Sequence, residues 1–447
     1  MIMTRRTMLL STTAATVSIL PVWAQPADPV PIIFVHGNGD HAALWMSTLW
    51  RFESNGWPRD RLHAFNFTDP LSRSDDAVPM AGRSGTADQL RELGAVVTEV
   101  RARTGAARVA LVGSSRGGYA IRNLVVEAGR GAEISHVVLC GTPNRGVFDW
   151  EANPGSEFNG RGPFLRMLNG RASDVVPGTA FLTLRSDGND KFAQPDGRLL
   201  GRPGVPTGIT SEGPGLRGAT NLALGQLDHR EVAFHPRAFR EIYRFIAGRE
   251  PARIAVTPEE RVVLDGLVTG NPGGAPTNRP VSGAEIEAFR VSATTGERIG
   301  PALLKRTTAA DGRWGPVTVA STDALEFVLA VAGHPVTHIY RSPFARSSAV
   351  VHLRPARPLA EADKAAGAVV QMTRPRGYFG IPRDIVLLDG QEPRDVTQGV
   401  PTDATSTVRL PASEIGRTVV GQFNEEIVVA RAWPAAENRV AIAELTW

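Results

Sequence analysis

The sequence predicts an α/β domain built on a doubly wound, mostly parallel sheet, followed by a β-rich C-terminal region. Three observations predict it. Short apolar runs alternate with helical periodicity from residue 30 to about 249. A serine within Gly-x-Ser-x-Gly stands between one such run and a helical segment. Beyond about residue 250 the helical period stops, and short runs separated by turn signals replace it. A chain of 447 residues is also too long for one compact core, so two or three domains are expected.

Residues 31–35 (PIIFV) come first and form a continuous apolar run, as expected of a strand covered on both faces. Residues 61–67 read as the next strand. Residues 86–103 read as an amphipathic helix, with Leu90, Leu93, Val96, Val97 and Val100 on one side and Gly105 beyond its end. A strand over 108–112, a helix over 117–128 and strands over 134–139 and 181–184 come next. Residues 236–247 close the domain as a helix, with Pro236 suited to its first turn.

Two long irregular stretches interrupt the pattern. Residues 149–179 carry Phe158, Phe164, Leu165, Met167 and Leu168 among glycines and prolines. They read either as an apolar flap over a pocket or as an extra helix packed on the sheet. Residues 194–225 are rich in Gly and Pro, and loops of such length usually serve function or are disordered. The α/β domain is thus assigned to 25–250. Short runs at 261–268, 284–291, 317–320, 325–331 and 349–353 then suggest a β-sandwich-like domain over 251–357. The Pro- and Ala-rich passage 354–366 reads as a linker. Residues 367–447, with runs at 384–388, 418–421 and 427–430, read as a second β-rich domain or as an extension of the first.

The amino terminus pairs Arg5 and Arg6 before a weakly apolar run reaching Leu20. Small residues around Val22 and Ala24 fit a signal-peptidase site. The run is too short and too rich in Ser and Thr for a membrane span. It resembles a twin-arginine signal covering residues 1–24, which predicts export to the periplasm or beyond. Removing the two arginines takes the net charge from +4 to about +2. Neither this balance nor any basic stripe supports nucleic-acid binding. Cys140 is the single cysteine, so an intrachain disulfide and a cysteine metal site are both excluded. Its setting in VVLCG predicts a buried apolar role.

The chemistry begins at Gly113-Ser114-Ser115-Arg116-Gly117. A turn sharp enough to lift Ser115 above a sheet needs glycine on both sides. Serine is a weak nucleophile and needs a base within hydrogen-bond reach. In doubly wound hydrolases the chain order is serine, acid, histidine. His136 lies on the next strand and reads as structural. His235 precedes Pro236 and suits a helix start. His229, in the polar turn LDHREV, is the candidate general base. The acid should come after the strand 181–184. Asp187 and Asp190 both qualify; Asp190 is favoured because the chain after it returns to the interior, with Asp187 as the alternative. The one not used would cap the loop or bind a cation, although the spacing with Asp196 matches no calcium loop. The oxyanion needs backbone donors, which Arg116 and Asn38 are placed to supply. His36 reads as a loop-packing residue. Arg145 either borders the site or is a surface charge. No metal and no cofactor are expected.

Together these stretches resemble the lipases and esterases of the α/β-hydrolase superfamily. The matching segments are VHGNGD, VGSSRGGY, LCGTPNRG, RSDGNDKF and LDHREV. The resemblance covers about half the chain and departs from the commonest lipase pattern by having Ser114, not His, before the nucleophile. It implies hydrolysis of carboxylic esters, with acylglycerols as substrate and an oil–water interface as the setting. A lipase-like domain joined to a β-rich half is similar to certain bacterial and archaeal lipases whose β half engages lipid. The alternatives are an extracellular polyester (polyhydroxyalkanoate) depolymerase and a non-catalytic binding protein on the same fold.

Overall fold

The computed structural model describes residues 29–447. The expected export signal, 1–24, lies outside the described residues.

Continuous apolar runs in the first half become strands, buried on both faces at the centre of the sheet. The strands are β1 (Ile32–Val35), β2 (Leu62–Phe65), β3 (Val109–Ser114), β4 (Ile134–Cys140), β5 (Ala180–Arg185) and β6 (Thr220–Ala223). They form one parallel sheet in the order β2-β1-β3-β4-β5-β6. The helices are α1 (Met46–Ser54), α2 (Thr86–Thr104), α3 (Arg116–Arg122), α4 (Pro163–Asn169), α5 (Glu231–Phe234) and α6 (Pro236–Ala247).

Side chains alternate across each strand, so one run feeds two cores. Ile32, Phe34, Ala110 and Val112 pack with Phe52 of α1 and Phe239, Ile242 and Tyr243 of α6. Ile33, Val35, Val109 and Leu111 face the other way, onto Leu93, Val97 and Val100 of α2 and Ile121 of α3. A helix layer on each face is the doubly wound α/β arrangement.

The strand order matters most for the site. β1 and β3 are direct neighbours, with Val35 opposite Gly113. β2 returns on one side of this pair and β4 continues on the other. The loops leaving the carboxyl ends of such a pair diverge and leave a crevice between them.

Several elements differ from expectation. The helix expected over 117–128 is α-helical only to Arg122 and ends in a π-helical turn, Asn123–Glu127. α1 has no counterpart among the expected elements; most of its residues are buried, the polar Ser47, Thr48 and Arg51 as well as Met46, Trp50 and Phe52. β6 has none either, being an exposed edge strand in a Gly- and Pro-rich stretch.

The C-terminal half is β-rich. Its main sheet has seven strands, in the order Thr405–Leu410, Ala368–Thr373, Arg439–Glu444, Val336–Arg341, Ala324–Ala330, Glu285–Val291 and Leu304–Thr307. Strands from both sides of the 354–366 passage therefore lie in one sheet. That passage is itself packed: Leu359 is buried against Val369 and Val440, and Arg354 donates to Thr277 O and Asn278 Oδ1, each at 3.2 Å. The run 349–353 is not a strand, making only isolated bridges such as Val268 with Leu353.

Candidate active site

The turn from β3 into α3 is dictated by sterics. Ser115 sits at φ 50°, ψ −121°, a backbone state that costs about 1–3 kcal/mol. A Cβ on Gly113 would lie 2.6 Å from Ile121 Cδ1 and 2.9 Å from the Gly118 nitrogen. A Cβ on Gly117 would lie 2.6 Å from the carbonyl oxygens of both Val35 and His36. No side chain fits at either place, so the two glycines allow the turn and the turn lifts Ser115 above the sheet.

His229 arrives from the turn before α5, 114 residues downstream in the chain. Its Nε2 is 2.9 Å from Ser115 Oγ. Its Nδ1 is 2.9 Å and 3.0 Å from the two carboxylate oxygens of Asp190. Both His229 and Asp190 are buried, and the Phe192 ring meets the imidazole edge-on at 4.6 Å. The turn is fixed by Asp228, whose Oδ1 accepts from the amides of Arg230 and Glu231 at 2.7 and 2.9 Å. Asp187 is placed differently. It accepts from the Asn189 amide at 3.0 Å and the Gln226 amide at 2.7 Å, tying the acid loop to the histidine turn. Burial works against its carboxylate, but these amides outweigh burial and hold it below the usual carboxylate range.

The loop after β1 closes over Ser115. A Cβ on Gly37 would lie 3.0 Å from Ser115 Cβ, so the backbone can approach this closely only without one. Asn38 spends its side chain on the fold: Oδ1 accepts from the Ser72 amide at 2.8 Å. Arg116 does the same. Its guanidinium is fully buried, paired through Nε and Nη2 with Glu157 and donating to Pro70 O at 3.1 Å, Ser84 Oγ at 3.0 Å and Ser84 O at 2.7 Å. Among the described residues, none of the turn and loop hydrogen bonds uses the amide of Asn38 or of Arg116.

A cavity of about 170 Å³ opens at Ser115 and His229. Its walls include Val147, Phe148, Phe158, Leu200 and Tyr378. The chemistry is that of an apolar pocket with a few convergent polar groups.

Residues 29–139 match the family model for class 2 lipases, and residues 260–358 match the model for the lipase C-terminal domain. The first match gives the α/β domain a class 2 lipase segment, and the second gives the β-rich half a lipase C-terminal segment. The chain is a carboxylic ester hydrolase. Among solved structures it is similar to the mature Bacillus licheniformis lipase BlEst2, at 20% identity over 51% of this chain and 95% of that one, with a TM-score of 0.37. It is also similar to a monoacylglycerol lipase from Paleococcus ferrophilus, at 13% identity over 49% and 96% of the two chains, with a TM-score of 0.34. A carboxylesterase from Bacillus subtilis, CesB, matches at 15% identity over 50% and 86%, with a TM-score of 0.28.

Within this lipase-family domain the remaining candidates have structural surroundings. His36 is buried, its Nε2 accepting from the Phe67 amide at 3.0 Å. His136 lies on β4, 3.0 Å from Ser135 Oγ through Nδ1. His235 caps α6 through the Arg237 amide at 3.2 Å. Arg145 pairs with the buried Asp174 at 2.9 Å. Burial pushes the Cys140 thiol up. No group of side chains suited to a metal occurs among the described residues. In the stretch 149–179, Phe158 walls the cavity, while Phe164, Leu165 and Leu168 of α4 pack with Tyr119 of α3. Sequence reasoning missed Glu157, Arg230 and Tyr378. Glu157 carries no local motif, and Tyr378 comes from the β-rich half.

Proposed function

We propose that this lipase-family protein is an exported serine hydrolase that cleaves acylglycerol esters through an acyl-enzyme. The observation that carries the reading is the relay in which Asp190, His229 and Ser115 succeed one another at 2.9 Å spacings. Ser115 Oγ attacks the ester carbonyl carbon while His229 Nε2 takes its proton. Asp190 holds the imidazole with its proton on Nδ1 and stabilises the cation that forms. The Asn38 and Arg116 amides receive the negative charge that develops on the carbonyl oxygen. His229 then gives its proton to the leaving alcohol, and water repeats the sequence to release the acid. The apolar walls favour an acyl chain over a charged group.

Emulsified tributyrin and a polyhydroxybutyrate film, offered in parallel to the parent and Ser115→Ala, test this reading. The expected result is tributyrin hydrolysis that Ser115→Ala abolishes. Hydrolysis of the film alone would move the protein to polyester depolymerisation, and turnover surviving in Ser115→Ala would overturn the mechanism. Export rests on Arg5, Arg6 and the apolar run beyond them. Replacing both arginines by lysine should trap the precursor in the cytoplasm, and unchanged secretion would overturn that route.

A further inference from the structure

The segment 374–384 belongs to the β-rich half, yet it is bound to the residues on either side of His229. Arg374 is buried. Its Nη1 donates to Asp228 Oδ2 at 2.9 Å, and its Nη2 donates to Glu231 Oε1 at 2.7 Å. Asp228 and Glu231 are themselves buried, so this guanidinium neutralises carboxylates that could not stand alone in the interior. Arg383 adds a second cation, 2.9 Å from Glu231 Oε2, and donates to Gln226 O at 3.0 Å. The whole turn from Gln226 to Glu231 is thereby fastened to one segment of the other half.

Tyr378 stands in the middle of that segment and reaches the cavity wall. Its amide donates to Asp228 Oδ2 at 2.8 Å, and its carbonyl accepts from Arg374 at 2.7 Å. Asp228 therefore binds the histidine turn through Oδ1 and the Tyr378 backbone through Oδ2. The Tyr378 ring is flanked by Lys191 Nζ, 3.9 Å from its centroid, and by Arg230, 5.0 Å away. These two residues come directly after Asp190 and His229 in the chain. A cation over an aromatic face is a favourable contact, strengthened by exclusion of water. One ring of the β-rich half thus touches the acid loop, the base loop and the pocket.

We propose that segment 374–384 is a working wall of the active site, in which Tyr378 limits the length of acyl chain admitted and Arg374 is a positioning residue for His229, acting through Asp228 and Glu231. This rests on the reading of Ser115, His229 and Asp190 as the reacting set. It makes the β-rich half part of the reaction centre, independent of any contact that half makes with a lipid surface.

The test uses the full chain and soluble p-nitrophenyl esters of acetate, butyrate and octanoate. Each variant is first titrated with a fluorophosphonate at Ser115, which counts folded, competent sites. Tyr378→Leu and Tyr378→Ala should raise the octanoate-to-acetate ratio of kcat/KM in that order, reaching about tenfold or more for alanine, the scale on which pocket shape discriminates acyl groups. Arg374→Gln should lower kcat per labelled site by about tenfold or more with KM little changed, and Arg374→Lys should recover part of it. A parental octanoate-to-acetate ratio in Tyr378→Ala would overturn the assignment of Tyr378. A parental kcat per labelled site in Arg374→Gln would overturn that of Arg374. If Arg374→Gln does not fold, Arg374→Lys is read in its place, and a parental kcat per labelled site in it would overturn the assignment of Arg374. A parent that neither labels nor turns over would instead overturn the reading of the reacting set itself.

Discussion

Replacing Asp190 by asparagine removes one charge and moves no heavy atom, yet the surroundings decide how the amide must orient. The Phe192 amide donates to Asp190 Oδ1 at 2.9 Å. In an asparagine, this contact holds the carbonyl oxygen at the Oδ1 position. The NH2 then takes the place of Oδ2, 3.0 Å from His229 Nδ1. An NH2 there competes with the carbonyl oxygen, itself 2.9 Å from Nδ1, and where it donates to Nδ1 the imidazole proton moves onto Nε2. Nε2 then faces Ser115 as a donor and cannot accept its proton. The wrong tautomer and the lost negative charge together should lower kcat about 10,000-fold, the scale known for this change in serine hydrolases, or about 5.5 kcal/mol of barrier. Asp187→Asn should cost far less, because Asp187 contacts backbone amides and not the imidazole. The assay is steady-state hydrolysis of p-nitrophenyl butyrate, with circular dichroism to confirm the fold. If Asp190→Asn kept more than about a tenth of kcat, or if Asp187→Asn were the worse of the two, the reasoning would be refuted.

The same geometry sets three further outcomes. Glu157→Ala leaves the buried Arg116 guanidinium without its counter-charge and should cost about 3–5 kcal/mol in chemical denaturation; a loss inside about 1 kcal/mol would show that the pair matters little. Gly117→Ala forces a methyl to 2.6 Å from two carbonyl oxygens and should cost about 1–3 kcal/mol together with most of the activity, whereas a parental melting point would mean the turn is looser than described. Burial lowers His36 to about 4 and His352 to about 3, from 6.5. The unfolded chain therefore binds more protons than the folded one between pH 6.5 and 4, and stability should fall as the pH drops through that window. Urea midpoints at pH 7.5 and pH 5 check this, and equal midpoints would contradict it.

The turn that carries Ser115 is legible in the sequence because its constraint is local. Gly113, Ser115 and Gly117 lie within five positions, and the collisions that demand glycine involve the same turn and the adjoining β1. That His229 and Asp190 come beside Ser115 is legible by order along the chain, and the direction of the chain after Asp190 separates it from Asp187. The rest depends on distance in sequence. Glu157 lies 41 residues from Arg116, and Arg374 lies 146 residues from Asp228. A buried ion pair between such positions leaves no periodic mark on either segment. The same is true of strand pairing. Val336–Arg341 and Arg439–Glu444 are neighbours in one sheet, but each run read alone shows only that it is a strand. α1 is hidden for a different reason, since its polar Ser47, Thr48 and Arg51 are buried along with its apolar residues and mark no solvent face.

The central claim is that His229 makes Ser115 nucleophilic. Its most direct test is the rate at which a fluorophosphonate modifies the folded protein, with the modified residue located by peptide mass. The account predicts one adduct, on Ser115, formed orders of magnitude more slowly in His229→Ala. An adduct on another residue, or an equal rate in the two proteins, would contradict it.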